Sequence, residues 1–370
     1  MSPSRSKAAP SGAGTSSHHE SAESIELTFI LPTRNRARHV TRAIESCLRV
    51  QQTGVSVELL VLDGNSTDGT FEQIQQQFGG DSRVRLMRQQ SKGFMAACFE
   101  ALPLVRTPFA TFMYDDDVLS PFWVDLPRGM ASRGSGFALG FGAEGSLEET
   151  VSFERAGFLR VISPSALLRA YCGAGRDLFR HGLPYSPICC LTTTQELHRW
   201  RTEVEGFVQG RPFREYFMMR LNAGPDLLVY FSSILTHDGD VMVFDGAVAQ
   251  FTVHDTSMTV SSGPIDIPVG YWLAHVWLAN QLSRHGGRSD AGWCTAYAVK
   301  SGLRLLWKRI RRRRWEWTGS FAKEIALLVG QNLASRNLLT FLKHLFVLLL
   351  LPRGLRPKLV LPPPIAQSRS

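Results

Sequence analysis

From residue 26 onward, short apolar runs alternate with stretches whose apolar positions recur at helical spacing. ELTFIL (26–31), VELLVLD (57–63), RVRLMRQ (83–89) and PFATFMY (108–114) read as buried strands. Between them, RHVTRAIESCLRVQQ (38–52) sets Val40, Ala43, Ile44, Cys47 and Leu48 on one helical face. DGTFEQIQQQF (68–78) does the same with Phe71, Ile74 and Phe78, and GFMAACFEALPLV (93–105) predicts a third helix. Strands separated by helices of this length predict βαβ units and an α/β fold with a mainly parallel central sheet. In such sheets ligands bind beyond the carboxyl ends of the strands. Three of the strands run into polar clusters, PTRNR (32–36), DGNSTDGT (63–70) and DDDVLSP (115–121), which should therefore meet at one edge.

Past residue 135 the pattern loosens into glycine-, arginine- and aromatic-rich segments. A second ordered block, 222–259, predicts a helix followed by two strands, the last ending in His254. Beyond residue 270 the chain turns helical. The first 24 residues have no apolar stretch of the kind a signal peptide needs and read as a disordered tail. Six cysteines without CxxC or metal-finger spacing suit a reducing, cytoplasmic setting, and adjacent Cys189 and Cys190 read as small buried side chains. The net charge of +9, from 41 Lys and Arg against 32 Asp and Glu, favours an anionic partner.

The carboxylates carry the chemistry. Asp115, Asp116 and Asp117 repel one another unless they form a solvated turn or share a cation, and their place at a strand end favours the cation. Oxygen clusters suit Mg²⁺ or Mn²⁺, which often take further oxygens from phosphate. Asp63, ending an apolar strand, can accept from a base or ribose donor, while Arg34 and Arg36 are cations for phosphate. GFGAEG (140–145) spells a dinucleotide fingerprint but lacks the following helix and distant acid, and no GxxxxGK[ST] occurs.

FILPTRNR, LLVLDGNSTDGT, SKGFMAAC and FMYDDDVLSP, in this order over residues 29–121, resemble the family 2 glycosyltransferases of GT-A fold. GPDLL (224–228) and FTVHDTSMT (251–259) resemble weaker C-terminal counterparts. The resemblance implies transfer of a sugar from a nucleotide-diphosphate sugar, UDP-sugars favoured, to an acceptor hydroxyl with Mn²⁺ or Mg²⁺. By position it implies that Pro32, Thr33 and Asn35 border the nucleoside, that Asp63 meets the base, and that Lys92 and Gly93 lie near the donor. Asp115 and Asp117 would form the DxD motif, Asp116 would flank the donor, Asp117 would touch the metal, and His254 would complete its shell. His254 also has a plainer reading, as a satisfied strand-end histidine. Tyr114 stands where the family often has the first Asp of its Asp-x-Asp-Asp, so which carboxylates meet the ion stays open; Gly64 replaces the second Asp of the family's DDGS and removes one polar contact there. Asp226, in GPDLL, resembles the family's acidic base, which would make transfer inverting; as a residue it equally suits a helix N-terminus. Glu203 and Glu205 are alternatives for the base.

KSGLRLLWKRIRRRRWEW (300–317) carries eight cations from Lys300 to Arg314, with Trp307, Trp315 and Trp317 alongside. Leu303, Leu306, Trp307 and Ile310 form a stripe suited to the interface of an anionic membrane. LFVLLLL (345–351) is far short of the roughly twenty apolar residues a span requires. The sequence therefore divides into a tail (1–24), a GT-A-like domain (25–265) and a helical, basic, membrane-associated region (266–370). The expected acceptor is a lipid-linked or cell-surface glycan at the inner face of the membrane. A nucleotidyltransferase acting on sugar phosphates, or nucleic-acid binding through the basic tail, are the alternatives, although the tail reading leaves the strand-end clusters without a purpose.

Overall fold

A computed structural model describes residues 25–52, 54–149, 151–153, 159–174, 182–214, 217, 223–237, 239–255, 257, 266–284, 290–313, 318–333 and 338–350. The tail 1–24, Trp315 and Trp317 lie outside them. Strands β1 (Ile25–Thr33), β2 (Val55–Asp63), β3 (Val84–Arg88) and β4 (Phe109–Phe112) pair in parallel in the order β3-β2-β1-β4. Helices α1 (Val40–Leu48), α2 (Thr70–Phe78) and α3 (Phe94–Ala101) connect them, as the alternation of patterns predicts. Both faces of this sheet are covered, so β1 and β2 read as nearly unbroken apolar runs. Leu27, Phe29, Leu31, Leu59 and Val61 face one core with α1; Ile30, Leu60 and Leu62 face another with α3.

The sheet continues through strands that the sequence left unmarked. After β4 come β5 (Val118–Leu119), α4 (Asp125–Arg133), β6 (Phe137–Gly145), β7 (Leu159–Ile162), α5 (Pro164–Tyr171), β8 (Cys190–Thr193) and α6 (Thr194–Val208). Then follow α7 (Pro225–Thr236) and β9 (Val241–Thr252). Among the described residues nine strands form one sheet, ordered β3-β2-β1-β4-β8-β6-β9-β5 with β7 on β9. β8 runs antiparallel between β4 and β6, β6 and β9 are parallel, and β5 and β7 are antiparallel to β9.

One of the sequence's expectations changes here. The two strands expected after α7 are one twelve-residue strand, β9. Asp245, at its middle, is met by Arg160 of β7 at 3.2 Å. GFGAEG is the end of β6, where a Cβ on Gly142 would lie 2.1 Å from the Phe251 ring of β9. That glycine is a gap for a neighbour, not a phosphate cradle.

The helices α8 (Asp266–Arg284), α9 (Ala291–Arg311), α10 (Thr318–Leu333) and α11 (Leu338–Leu350) close the chain. Trp272, Leu273 and Val276 of α8, Phe321 of α10 and Phe341 of α11 belong to the same buried cluster as Leu227 and Phe231 of α7. No helix among the described residues is long and apolar enough to cross a membrane. All six cysteines are free and buried, as small apolar side chains would be.

Candidate active site

The carboxyl ends of β1 and β2 are laced together. Gly64 N–H donates to the Thr33 carbonyl at 2.7 Å, Asn35 N–H donates to Ser66 Oγ at 2.9 Å, and Thr67 N–H donates to Asn35 Oδ1 at 2.9 Å. Asn35 and Asn65 both adopt left-handed backbone, with φ of 54° and 58°, which asparagine tolerates better than most residues. Asp63 closes β2 fully buried; its Oδ2 accepts from Ser66 N–H at 2.9 Å and faces Arg88 Nη1 at 3.5 Å. Its Oδ1 is buried and has no hydrogen-bond partner within the protein. A buried acceptor left open costs about 1–3 kcal/mol, so this oxygen has the capacity to accept from a donor outside the protein. Pro32 and Thr33 are buried beside it, Asn35 and Lys92 are exposed, and Gly93 starts α3 with φ 105°.

The triple aspartate sits on the turn between β4 and β5, and each member has a different partner. Asp115 Oδ1 faces Arg36 Nε at 3.4 Å, which engages one of the two arginines expected to serve phosphate. Asp116 Oδ2 lies 3.0 Å from His254 Nε2, just past the end of β9. Asp117 Oδ1 accepts from the Thr252 backbone N–H at 2.9 Å, stitching the turn to β9. Asp115, Asp117 and His254, the residues expected to meet an ion, all stand at this turn; His254 meets Asp116, and Asp117 is hydrogen-bonded to the β9 backbone. Downstream, Trp123 is fully buried, donates to the Ile188 carbonyl at 2.8 Å and packs edge-on against Phe29. This fixes the far end of the turn.

Charge at the turn exceeds what its neighbours neutralise. Burial and the adjacent Asp116 push Asp115 up to about 7, against the pull of Arg36. The same two causes push Asp117 well above the usual carboxylate range, against the Thr252 N–H. Such a site gains from a hard divalent cation, and carboxylate oxygens with one imidazole are donors such an ion accepts. Among the described residues no group of three or more His, Cys, Asp or Glu side chains is placed to hold a metal ion. The His39 ring stacks on His254 with centroids 4.5 Å apart, and burial, then His254, lowers its pKa.

Asp226 opens α7. Its Oδ1 accepts from the N–H groups of Gly224 and Leu227, both at 2.7 Å, and its Oδ2 accepts from the Tyr271 hydroxyl at 3.3 Å. Burial pushes this carboxyl up to about 7, the poise a general base needs near neutral pH. Tyr114, next to the aspartates, senses both ends of the site: burial, then Asp226 and, more weakly, Asp117 raise its pKa. Glu203 and Glu205 lie away from these groups, on α6, where they face Gln281 (2.7 Å) and Arg201 (3.5 Å) respectively.

Residues 28–126 match the model of the family described as Glycosyl transferase family 2. That segment is similar to the family 2 glycosyltransferases. Over 100 residues, 27% of its length, the chain is 31% identical to a chondroitin synthase of Escherichia coli. It is 30% identical over 100 residues to a hyaluronan synthase of Pasteurella multocida. The match spans only 14% and 10% of those two proteins. In fold, the chain is similar to S. aureus TarS 1-349, solved in complex with UDP-GlcNAc. The TM-score is 0.57 at 16% identity, over 83% of this chain and 81% of TarS 1-349. That likeness reaches past the family segment, and it shows an α/β fold of GT-A type followed by C-terminal helices.

Tyr271, His39 and Thr252 entered the site unannounced. Thr252 acts through its backbone N–H, which every residue but proline has, and Tyr271 lies 45 positions from its partner Asp226. Tyr114 was visible only as a departure from the family pattern.

Proposed function

We propose that the chain transfers a sugar from a UDP-sugar to an acceptor hydroxyl with inversion, aided by Mn²⁺ or Mg²⁺. The observation carrying this reading is the open, buried Asp63 Oδ1 at the same sheet edge as the under-neutralised aspartate turn. The first suits the imide N–H of a uracil and the second the diphosphate side of the donor. Pro32, Thr33 and Asn35 border the nucleoside, and Lys92 and Gly93 lie toward the donor. UDP-GlcNAc in TarS, and the polysaccharides named for the synthase relatives, support the substrate class.

Asp116 and His254 are the residues that would hold the ion, with Asp115 beside them and Asp117 fixing the turn. When bound, the ion supplies positive charge for the departing diphosphate. Asp226 Oδ2 accepts the proton of the acceptor hydroxyl as its oxygen bonds to the anomeric carbon. The bond from that carbon to the diphosphate oxygen breaks, and its electron pair leaves with the nucleoside diphosphate.

The helical region 266–370 is proposed to rest on an anionic membrane, presenting the active site to a lipid-linked or cell-surface glycan from the cytoplasmic side. Leu303, Trp307 and Ile310 of α9 are exposed among exposed Arg304, Lys308, Arg311, Arg312 and Arg313. Leu339, Leu342, Phe346 and Leu349 form an exposed apolar stripe on α11. One cation is lost to this surface: Arg309 is buried over the Phe321 ring at 4.9 Å.

The test is release of nucleoside diphosphate from a panel of UDP-sugars with Mn²⁺. Metal-dependent release by the wild type that Asp116→Ala abolishes supports the reading. Full activity in Asp116→Ala, or pyrophosphate released from a nucleoside triphosphate, overturns it.

A further inference from the structure

The helices after the sheet do more than pack on it. Tyr271 belongs to the second turn of α8, outside the segment that carries the family motifs, yet its hydroxyl reaches Asp226 Oδ2. Its ring is braced by Tyr185, with centroids 4.8 Å apart. A close backbone approach makes this possible. A Cβ on Gly270 would lie 2.2 Å from the Ala223 carbonyl oxygen, and one on Gly224, at φ 109°, would lie 2.6 Å from the Gly270 carbonyl oxygen. Only with glycine on both sides do α8 and the start of α7 come near enough for a tyrosine to span them.

We propose that Tyr271 is the positioning residue of the base: its hydroxyl holds Asp226 Oδ2 toward the acceptor, so that α8 completes the active site. This rests on the reading of Asp226 as the base. Oδ1 is locked by the Gly224 and Leu227 N–H groups, and Oδ2 is the oxygen left to work. A hydroxyl donating to Oδ2 favours the ionised, proton-accepting form and opposes burial. Tyr114, on the β4–β5 side and stacked on Phe94 at 5.4 Å, is raised in pKa by burial and then by Asp226.

The experiment needs no knowledge of donor or acceptor. In the full-length chain labelled with carboxyl-¹³C aspartate, the Asp226 resonance is the one that Asp226→Asn removes. Its titration midpoint, near 7 in the wild type, should rise by about one pH unit in Tyr271→Phe, which keeps the ring packed against Tyr185 but removes the donor. Gly270→Ala should move the midpoint the same way by pushing α8 off Ala223. An unchanged midpoint in Tyr271→Phe overturns the proposal. Failure of the base reading looks different: Asp226→Asn would retain transfer while the Tyr271→Phe midpoint still moved.

Discussion

If Asp226 is held for catalysis against the preference of its surroundings, removing its charge should stabilise the fold while abolishing transfer. In Asp226→Asn the side-chain oxygen can still accept from the Gly224 and Leu227 N–H groups, and the amide can donate to the Tyr271 oxygen. What disappears is the buried charge. In the wild type the unfolded chain releases this proton near the ordinary 3.8, whereas the folded chain holds it until about 7. The folded state binds more protons between these values, so the stability contributed is fully present below 3.8 and lost as pH rises through about 7. The asparagine variant has no such loss. Its advantage should open from about pH 4, grow to on the order of 4 kcal/mol by about pH 7, and stay flat above. Urea unfolding of both proteins at half-unit steps from pH 4 to 8.5 measures the gap directly, and sugar transfer should fall by about 10²–10⁴. A gap independent of pH, or a wild type more stable than the variant at pH 8, would refute the assignment of a strained, proton-hungry carboxyl.

Further outcomes follow from the division of labour along the aspartate turn. Asp116→Ala should lose Mn²⁺ binding, measured by calorimetry with Mn²⁺ and UDP, at nearly unchanged thermal stability. Asp117→Ala should lower stability by about 1–3 kcal/mol in urea unfolding, because it strands the buried Thr252 N–H. Equal stability of the two variants would refute the split. Asp63→Asn should weaken UDP binding by about tenfold or more in the same calorimeter, since Oδ1 would no longer offer a charged acceptor. Trp307→Glu with Leu339→Glu should abolish co-sedimentation with phosphatidylserine vesicles while leaving hydrolysis of a soluble UDP-sugar intact. Undiminished co-sedimentation would remove these helices from the membrane.

The parallel half of the fold was legible because each element there is made by its own sequence. Buried strands between helices give runs of one kind followed by periodicity of another, and the strand-end clusters follow from the topology alone. The other half was hidden for a physical reason. β8 is four residues long and β6 ends in glycines, so neither announces a strand; both exist because neighbours in the sheet complete them. The same holds within the site. Asp63 could be read from its place at a strand end, but the role of each aspartate in the turn depends on β9, more than 130 residues away. The sequence offered three carboxylates and one histidine without their pairing, and β9 supplied it through one backbone N–H and one imidazole.

The base shows how far this logic extends. Asp226 has an ordinary explanation as the first-turn acid of α7, and its sequence environment says no more. What separates it from such an acid is that two glycines in different elements, Gly224 and Gly270, remove the side chains that would keep α8 away. Neither glycine is interpretable alone: one reads as a helix stop and the other as a weak point in a helix. Together they define the distance at which a tyrosine can hold a buried carboxylate. If that distance matters to the reaction, the C-terminal helices are part of the catalytic unit, and an enzyme truncated before residue 266 should keep the donor site yet lose the poise of its base.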